Sequence, residues 1–224
     1  MATFQSRIEA LTGISLSTTS TPTLAEAGQF LVDGVIDYQS KYLNLFPGEG
    51  PKFSRESSEY TSNNADLNGA NVLTVVRESG SDGDWRVCRQ SFPGMESMIK
   101  DKRSVHYASK INPAFVQLGD IISVYPEPGS NPGEAYKIYY VNNAPVNSDG
   151  STLSATDSSI AHFPDNKEQL IIIYASAKVL EAKMLDYTIE EEDTELMQAL
   201  GMNLQLLQQQ YFDALVPSGG RPKE

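Results

Sequence analysis

Cys88, His106 and His162 are the first places to look for chemistry, because the chain has one cysteine and two histidines. Cys88 stands beside Arg86 and Arg89, and cationic neighbours lower a thiol pKa. A small core or surface residue is the plainer reading. His106 falls in a predicted strand next to Tyr107, and His162 in a loop before Phe163-Pro164. Neither has a Cys or His at ligand spacing, so no zinc site is expected. A single cysteine also excludes an internal disulfide framework and a multi-cysteine metal site. Ser81-Asp82-Gly83-Asp84 and Asn147-Ser148-Asp149-Gly150-Ser151 look superficially like calcium loops. An EF-hand loop needs oxygen ligands at alternate positions and a closing Glu, which neither segment has. Asp-Gly turn chemistry accounts for both. There is no Walker or dinucleotide glycine loop and no nucleophile elbow. The expectation is therefore no enzyme, no cofactor, and no catalytic, cofactor-binding or metal residue.

Two charge runs remain. Glu190, Glu191, Glu192 and Asp193 suit a solvated helix start or a basic partner. Lys100-Asp101-Lys102-Arg103 is the only local positive patch, an exposed loop that could touch DNA or an acidic partner. The formal net charge is −12 over 224 residues. Residues 160–224 hold five Lys/Arg and eleven Asp/Glu, so acidity is graded toward the C-terminus. Such a chain does not grip nucleic acid by neutralising phosphates. It could form a wall that nucleic acid slides past. No apolar run reaches the roughly 18 residues of a membrane span. The first residues lack a basic flank and a long apolar core, so no secretion signal is expected.

The elements that would position these residues centre on 163–215. Pro164 stops the preceding segment, and Asp165 with Glu168 has capping-box spacing. From Leu170 the chain reads Leu-Ile-Ile-Ile-Tyr-Ala and continues for about 20 residues without Gly or Pro, which favours helix over strand. Its first turns are apolar nearly all round, so the helix must be covered on more than one face. A second helix is predicted from a capping box at Thr188 and Glu191. Leu196, Leu200, Leu204, Leu207, Tyr211 and Leu215 share one face. Gly201 interrupts it at a cost of about 1 kcal/mol.

At the start of the chain, Phe4, Ile8 and Leu11 predict a short amphipathic helix, followed by a Ser/Thr-rich linker at 15–22. Thr23 and Glu26 give a capping box, and Leu24, Ala27, Leu31, Val35, Tyr38 and Tyr42 mark one helical face, widened by Phe30 and Ile36. The middle is β-rich: strands are predicted at 72–77, 84–90, 105–108, 114–118, 121–125 and 135–141, with a hairpin-like connection at 79–83. In the last strand Tyr136, Ile138 and Tyr140 point one way and Lys137, Tyr139 and Val141 the other. A short helical turn or loop is expected at 95–102 and a long loop at 142–161.

The predicted class is α+β: a helical bundle formed by the N-terminal helix and the C-terminal helix pair, with an inserted antiparallel β domain. The expected parts are residues 1–47, the β-rich 48–159, the helical hairpin 160–216 and a flexible tail 217–224. Helices lying on one face of the sheet is the other architecture that fits.

Three stretches together carry a resemblance. They are Ala27-Gly28-Gln29-Phe30-Leu31-Val32-Asp33-Gly34 on to Asp37; Asn112-Pro113-Ala114-Phe115-Val116-Gln117-Leu118-Gly119-Asp120 on to Pro126, with the 136–140 strand; and Phe163-Pro164 leading into Leu170 and Leu185. This layout resembles the head-to-tail adaptor (connector or neck) proteins of tailed bacteriophages, with a larger β block than the small helical adaptors have. The resemblance implies a non-enzymatic structural virion protein at the head-tail junction, assembled in the host cytoplasm. It implies a homo-oligomeric ring, commonly twelve-fold, that docks on the portal protein and meets tail or nozzle proteins. DNA passes through the channel without sequence-specific binding, and no membrane is involved. The alternatives are a small hydrolase with an unrecognised site, or a tail or baseplate component. The latter would bind another protein or a glycan through its β domain, with Trp85, Tyr125, Tyr136 and Tyr140 as a stacking surface.

Overall fold

A computed structural model describes residues 2–81, 83–141, 144–190 and 194–215. The chain divides into two compact units. One, helical, is built from Met1–Phe53 and Ala144–Glu224; the other, built from strands, is Ser54–Asn143. The class is α+β. Residues 48–53 and 144–159, expected in the β-rich part, belong to the helical unit.

The first stretch of the helical unit contributes α1 (Phe4–Thr12), α2 (Leu24–Leu45) and a 3-10 segment, Pro47–Phe53. Thr3 caps α1 by accepting from the Ser6 amide, and Gly13 ends it with a left-handed φ of 71°. The capping box of α2 is present in full: Thr23 accepts from the Glu26 amide, and the Glu26 carboxylate accepts from the Thr23 amide. Buried Ala27, Leu31, Val35 and Tyr38 form its inner face, whereas Ile36, expected to widen that face, is 36% exposed.

The β unit follows in sequence with β1 (Ser54–Glu56), β2 (Ala65–Asp66), β3 (Asn71–Glu78), β4 (Trp85–Val87), β5 (Arg89–Ser91), α3 (Glu96–Lys100), β6 (Ala114–Leu118), β7 (Ile121–Tyr125) and β8 (Tyr136–Val141). Its strands form two four-stranded sheets, ordered β1-β8-β3-β4 and β2-β7-β6-β5. The first is antiparallel throughout. The second is mixed, because β5 runs parallel to β6, which corrects the expected all-antiparallel domain. Val75, Cys88, Phe115, Ile122, Tyr136 and Ile138 come from both sheets and share one core.

The predicted strand at 84–90 is two strands in two sheets. At Cys88 the amide still donates to Val75 at 2.8 Å, and the next amide, of Arg89, donates to Pro113 at 2.9 Å. The chain thus turns a corner there and changes sheet. The predicted strand at 105–108 is a loop, held by Ser104 donating to the Asp101 carbonyl and Tyr107 donating to that of Ser104. A polar core completes this unit. Arg77 is 1% exposed, and its guanidinium donates to the carbonyls of Pro126, Glu127 and Glu78. The Glu78 carboxylate accepts from the Ala135 and Gly83 amides. Buried charges of this kind persist only when so satisfied.

The second stretch of the helical unit ends in α4 (Glu168–Glu190) and α5 (Thr194–Leu215). α1, α2 and α5 all pack on α4. That explains its all-round apolar sequence: Ile171, Ile172, Ala175, Val179 and Leu180 are fully buried. Two predicted caps differ. A 3-10 turn, Asp165–Lys167, precedes α4 and has no side-chain cap. Glu168 instead accepts from the Ile160 amide at 3.0 Å and faces Arg7 at 3.7 Å. Thr188 falls within α4, which runs to Glu190, and Glu191 lies outside the described residues. On α5, Leu207, Tyr211 and Leu215 are buried, while Leu196, Leu200 and Leu204 are half-buried on the same face.

Candidate functional site

Within the helical unit, polar residues at the margins of three apolar stripes meet in one groove of about 440 Å³. α2 brings Asp37 and Lys41, one turn apart; α4 brings Tyr174, Lys178 and Glu181; α5 brings Gln208, Tyr211 and Phe212. The Lys41 ammonium and the Tyr211 phenol both donate to Asp37 Oδ2, each at 2.8 Å. Lys178 donates to Glu181 Oε2 at 2.7 Å, and Gln208 donates to Glu181 Oε1 at 3.0 Å. The rings of Tyr174 and Tyr211 lie 5.5 Å apart, and Lys41 stands 5.6 Å from the Phe212 centroid.

Electrostatics here oppose catalysis by the phenols. Burial, then the Asp37 hydrogen bond, push Tyr211 far above the ordinary tyrosine range. Burial also raises Tyr174. The Glu181 hydrogen bond raises Lys178. At neutral pH the phenols are fixed donors and Lys178 is a fixed cation. Each lysine is matched by a carboxylate. The groove therefore offers aromatic walls and a charge-balanced rim, which suits recognition more than proton transfer.

The three stretches that carry the phage resemblance are placed as follows. Ala27 to Asp37 lies in α2, and Phe163 to Leu185 leads into α4. The two pack directly: a Cβ on Gly34 would stand 2.9 Å from Tyr174 Cδ1, and the Tyr38 and Phe163 rings are 5.6 Å apart. The stretch from Asn112 to Pro126 forms the β6–β7 hairpin, with Leu118 opposite Ile121.

Other residues singled out in the sequence do not come together. Cys88 is a core residue, and burial pushes its thiol up to about 12 with Arg77 pulling the other way. His106 is exposed in a loop and not in a strand. His162 is exposed, with a left-handed φ of 55°. Among the described residues no group of three His, Cys, Asp or Glu could hold a metal ion. The Asn147 side chain accepts from the Asp149 and Ser151 amides, so it builds its own turn. Asp82 of the other acidic loop, residues 191–193 of the acidic run and the expected tail at 217–224 lie outside the described residues.

The proposed stacking surface is not assembled. Tyr125 and Tyr136 are buried, Tyr140 packs against the core, and Lys137 lies over Trp85 at 4.6 Å. In the basic run, Lys100 is tied to Glu96 at 2.8 Å and faces Glu127. Lys102 and Arg103 are exposed.

The groove leaves little trace in the sequence. Its only signal in the sequence is i,i+4 spacing of Asp37 with Lys41 and of Tyr174 with Lys178, beside the apolar faces. No described helix is long and apolar enough to cross a membrane. No protein-family model matches the sequence, and no curated protein matches it.

Proposed function

We propose that this chain is a structural virion protein, a head-to-tail adaptor that forms a ring between portal and tail around a channel for DNA. The supporting observation is the uneven charge of its two units. The helical unit holds eight Lys/Arg and eighteen Asp/Glu, a net −10; the β unit holds nine and eleven, a net −2. A strongly acidic helical wall repels phosphate and offers little to neutralise it, so DNA would move past it without adhering. The bundle has a helix, α4, buried among three others, which gives such a wall a rigid frame. Two of the three stretches that resemble adaptors pack together in this unit. The groove, balanced in charge and lined by phenols held as donors, fits a protein that recognises and does not catalyse.

The test is a reconstruction of the particle at side-chain detail. The expected outcome is a cyclic ring of this chain at the head-tail junction, in contact with portal and tail proteins. Density for it on the outer capsid, at fibre tips, or in no virion would overturn the proposal.

A further inference from the structure

The loop 102–106 of the β unit presents Lys102, Arg103, Val105 and His106 to solvent, with Val105 98% exposed. Its backbone is nonetheless tied at several points. Arg103 donates its amide to Asp101 Oδ1 at 2.9 Å, and His106 donates to Ser104 Oγ at 3.1 Å. Ala108 donates to Ile99 at 3.0 Å, and the Arg89 guanidinium donates to the His106 carbonyl. The loop is thus a fixed shape carrying four outward side chains, and a fixed shape loses little entropy on docking.

Its charge is also unusual within its unit. Each of the other cations there except Arg55 is matched to a carboxylate or donates to a backbone carbonyl. Neither Lys102 nor Arg103 has an ion-pair partner among the described residues. An unmatched pair of cations beside a bare valine calls for an acidic surface that also has an apolar spot. The chain itself carries one. On α2, Glu26, Phe30 and Asp33 follow at steps of four and three, so they form one stripe, one turn before Asp37, which Lys41 already matches. It lies away from the buried Ala27, Leu31 and Val35, and Asp33 is exposed.

We propose that loop 102–106 docks on the acidic α2 stripe of a second copy of this chain. The contact is heterologous, β unit to helical unit, which is the kind that closes into a ring or runs on as a filament. For its biological setting the inference rests on the ring proposed above. Nucleic acid is a poorer occupant, because two cations neutralise few phosphates and the −10 of the helical unit opposes approach.

The experiment places a photo-activated benzoyl-phenylalanine at position 105 of the full chain, at high protein concentration, with and without added DNA. The expected product is a covalent dimer whose second copy is linked through a peptide from residues 24–45. Lys102→Glu with Arg103→Glu should cut its yield by about tenfold or more, and raising salt should lower it too. Adding Asp33→Lys to that double variant should restore yield, which a merely misfolded loop could not do. A chain that gives no dimer, a yield indifferent to charge reversal, or cross-linking to DNA instead overturns the inference. None of these outcomes bears on the ring in the particle, whose reconstruction tests that reading separately.

Discussion

The phenol of Tyr211, near the end of α5, donates a 2.8 Å hydrogen bond to the Asp37 carboxylate of α2 across 174 positions of chain. It is a direct polar tie between two of the three helices packed on α4. Tyr38, one residue past Asp37, is its opposite: fully buried, with a hydroxyl that has no partner among the described residues.

The two tyrosines should respond differently to loss of the hydroxyl. Tyr211→Phe is expected to cost about 1–2 kcal/mol, as for a hydrogen bond to a charged group whose other partner, Lys41, remains. Tyr38→Phe should be neutral or stabilising, because it removes a buried polar group that gains nothing. Urea unfolding of both variants checks this; equal losses would mean that Tyr38 has a partner in solution.

Two helical glycines should also part company. A Cβ at Gly34 would stand 2.9 Å from the Tyr174 ring and 3.4 Å from Ile171, so Gly34→Ala forces α2 off α4 and should destabilise. At Gly201 the nearest atom is Met184 Cε at 3.7 Å, an ordinary contact. Gly201→Ala should therefore stabilise by up to about 1 kcal/mol, from propensity alone. Thermal melts in parallel decide it, and a Gly34→Ala variant as stable as the parent would deny the close approach.

Ile172 is fully buried in α4. Ile172→Asp puts an unpaired carboxylate there, at a cost on the order of several kcal/mol. The expected result is loss of cooperative folding of the helical unit by circular dichroism. A variant that melts like the parent would show that α4 is not enclosed.

The β unit should weaken in alkali. Burial pushes both the Cys88 thiol and the Tyr136 phenol up to about 12, from 9.0 and 10.0. Both folded pKa values are raised, so the native chain holds more protons than the unfolded chain between those limits. Their contribution is whole below pH 9.0 and is lost as pH rises toward about 12. Melting temperature should be flat near neutrality and fall above that point. Cys88→Ala should start lower and fall less steeply, and the native thiol should resist a thiol reagent at pH 8 or so. Rapid labelling of the folded chain would count against its burial.

Much of this fold is legible in the residues. The Ile171-Ile172-Ile173 run demanded cover on several sides, and three helices supply it. The Thr23–Glu26 box sits where its spacing indicates. What escaped has physical causes. β1 and β2 are three and two residues long, too short to show alternation. The strand-like composition of 84–90 runs unbroken past the corner at Cys88, so one strand is read where two sheets meet. Residues 105–108 have the composition of a strand, yet Asp101 and Ser104 fold the backbone into turns before pairing is possible. Glu168 has the spacing of a cap, but Arg7, far off in sequence, and the Ile160 amide, eight residues back, claim its carboxylate. Nothing local marks the meeting of Asp37 with Tyr211, because it depends on how α2 and α5 are both set against α4.

Ser54, the first residue of the β unit, is the ladder partner of Val141, two positions before its end. The chain therefore enters and leaves that unit through neighbouring strands, as through the two pins of a plug. A piece so wired is exchangeable: it can be removed and its ends bridged by a few residues, or replaced by another fold whose termini sit at the same spacing. Recombination could on this basis refit the same four-helix body with different β modules, and lineages would then differ in the insert while keeping the helices.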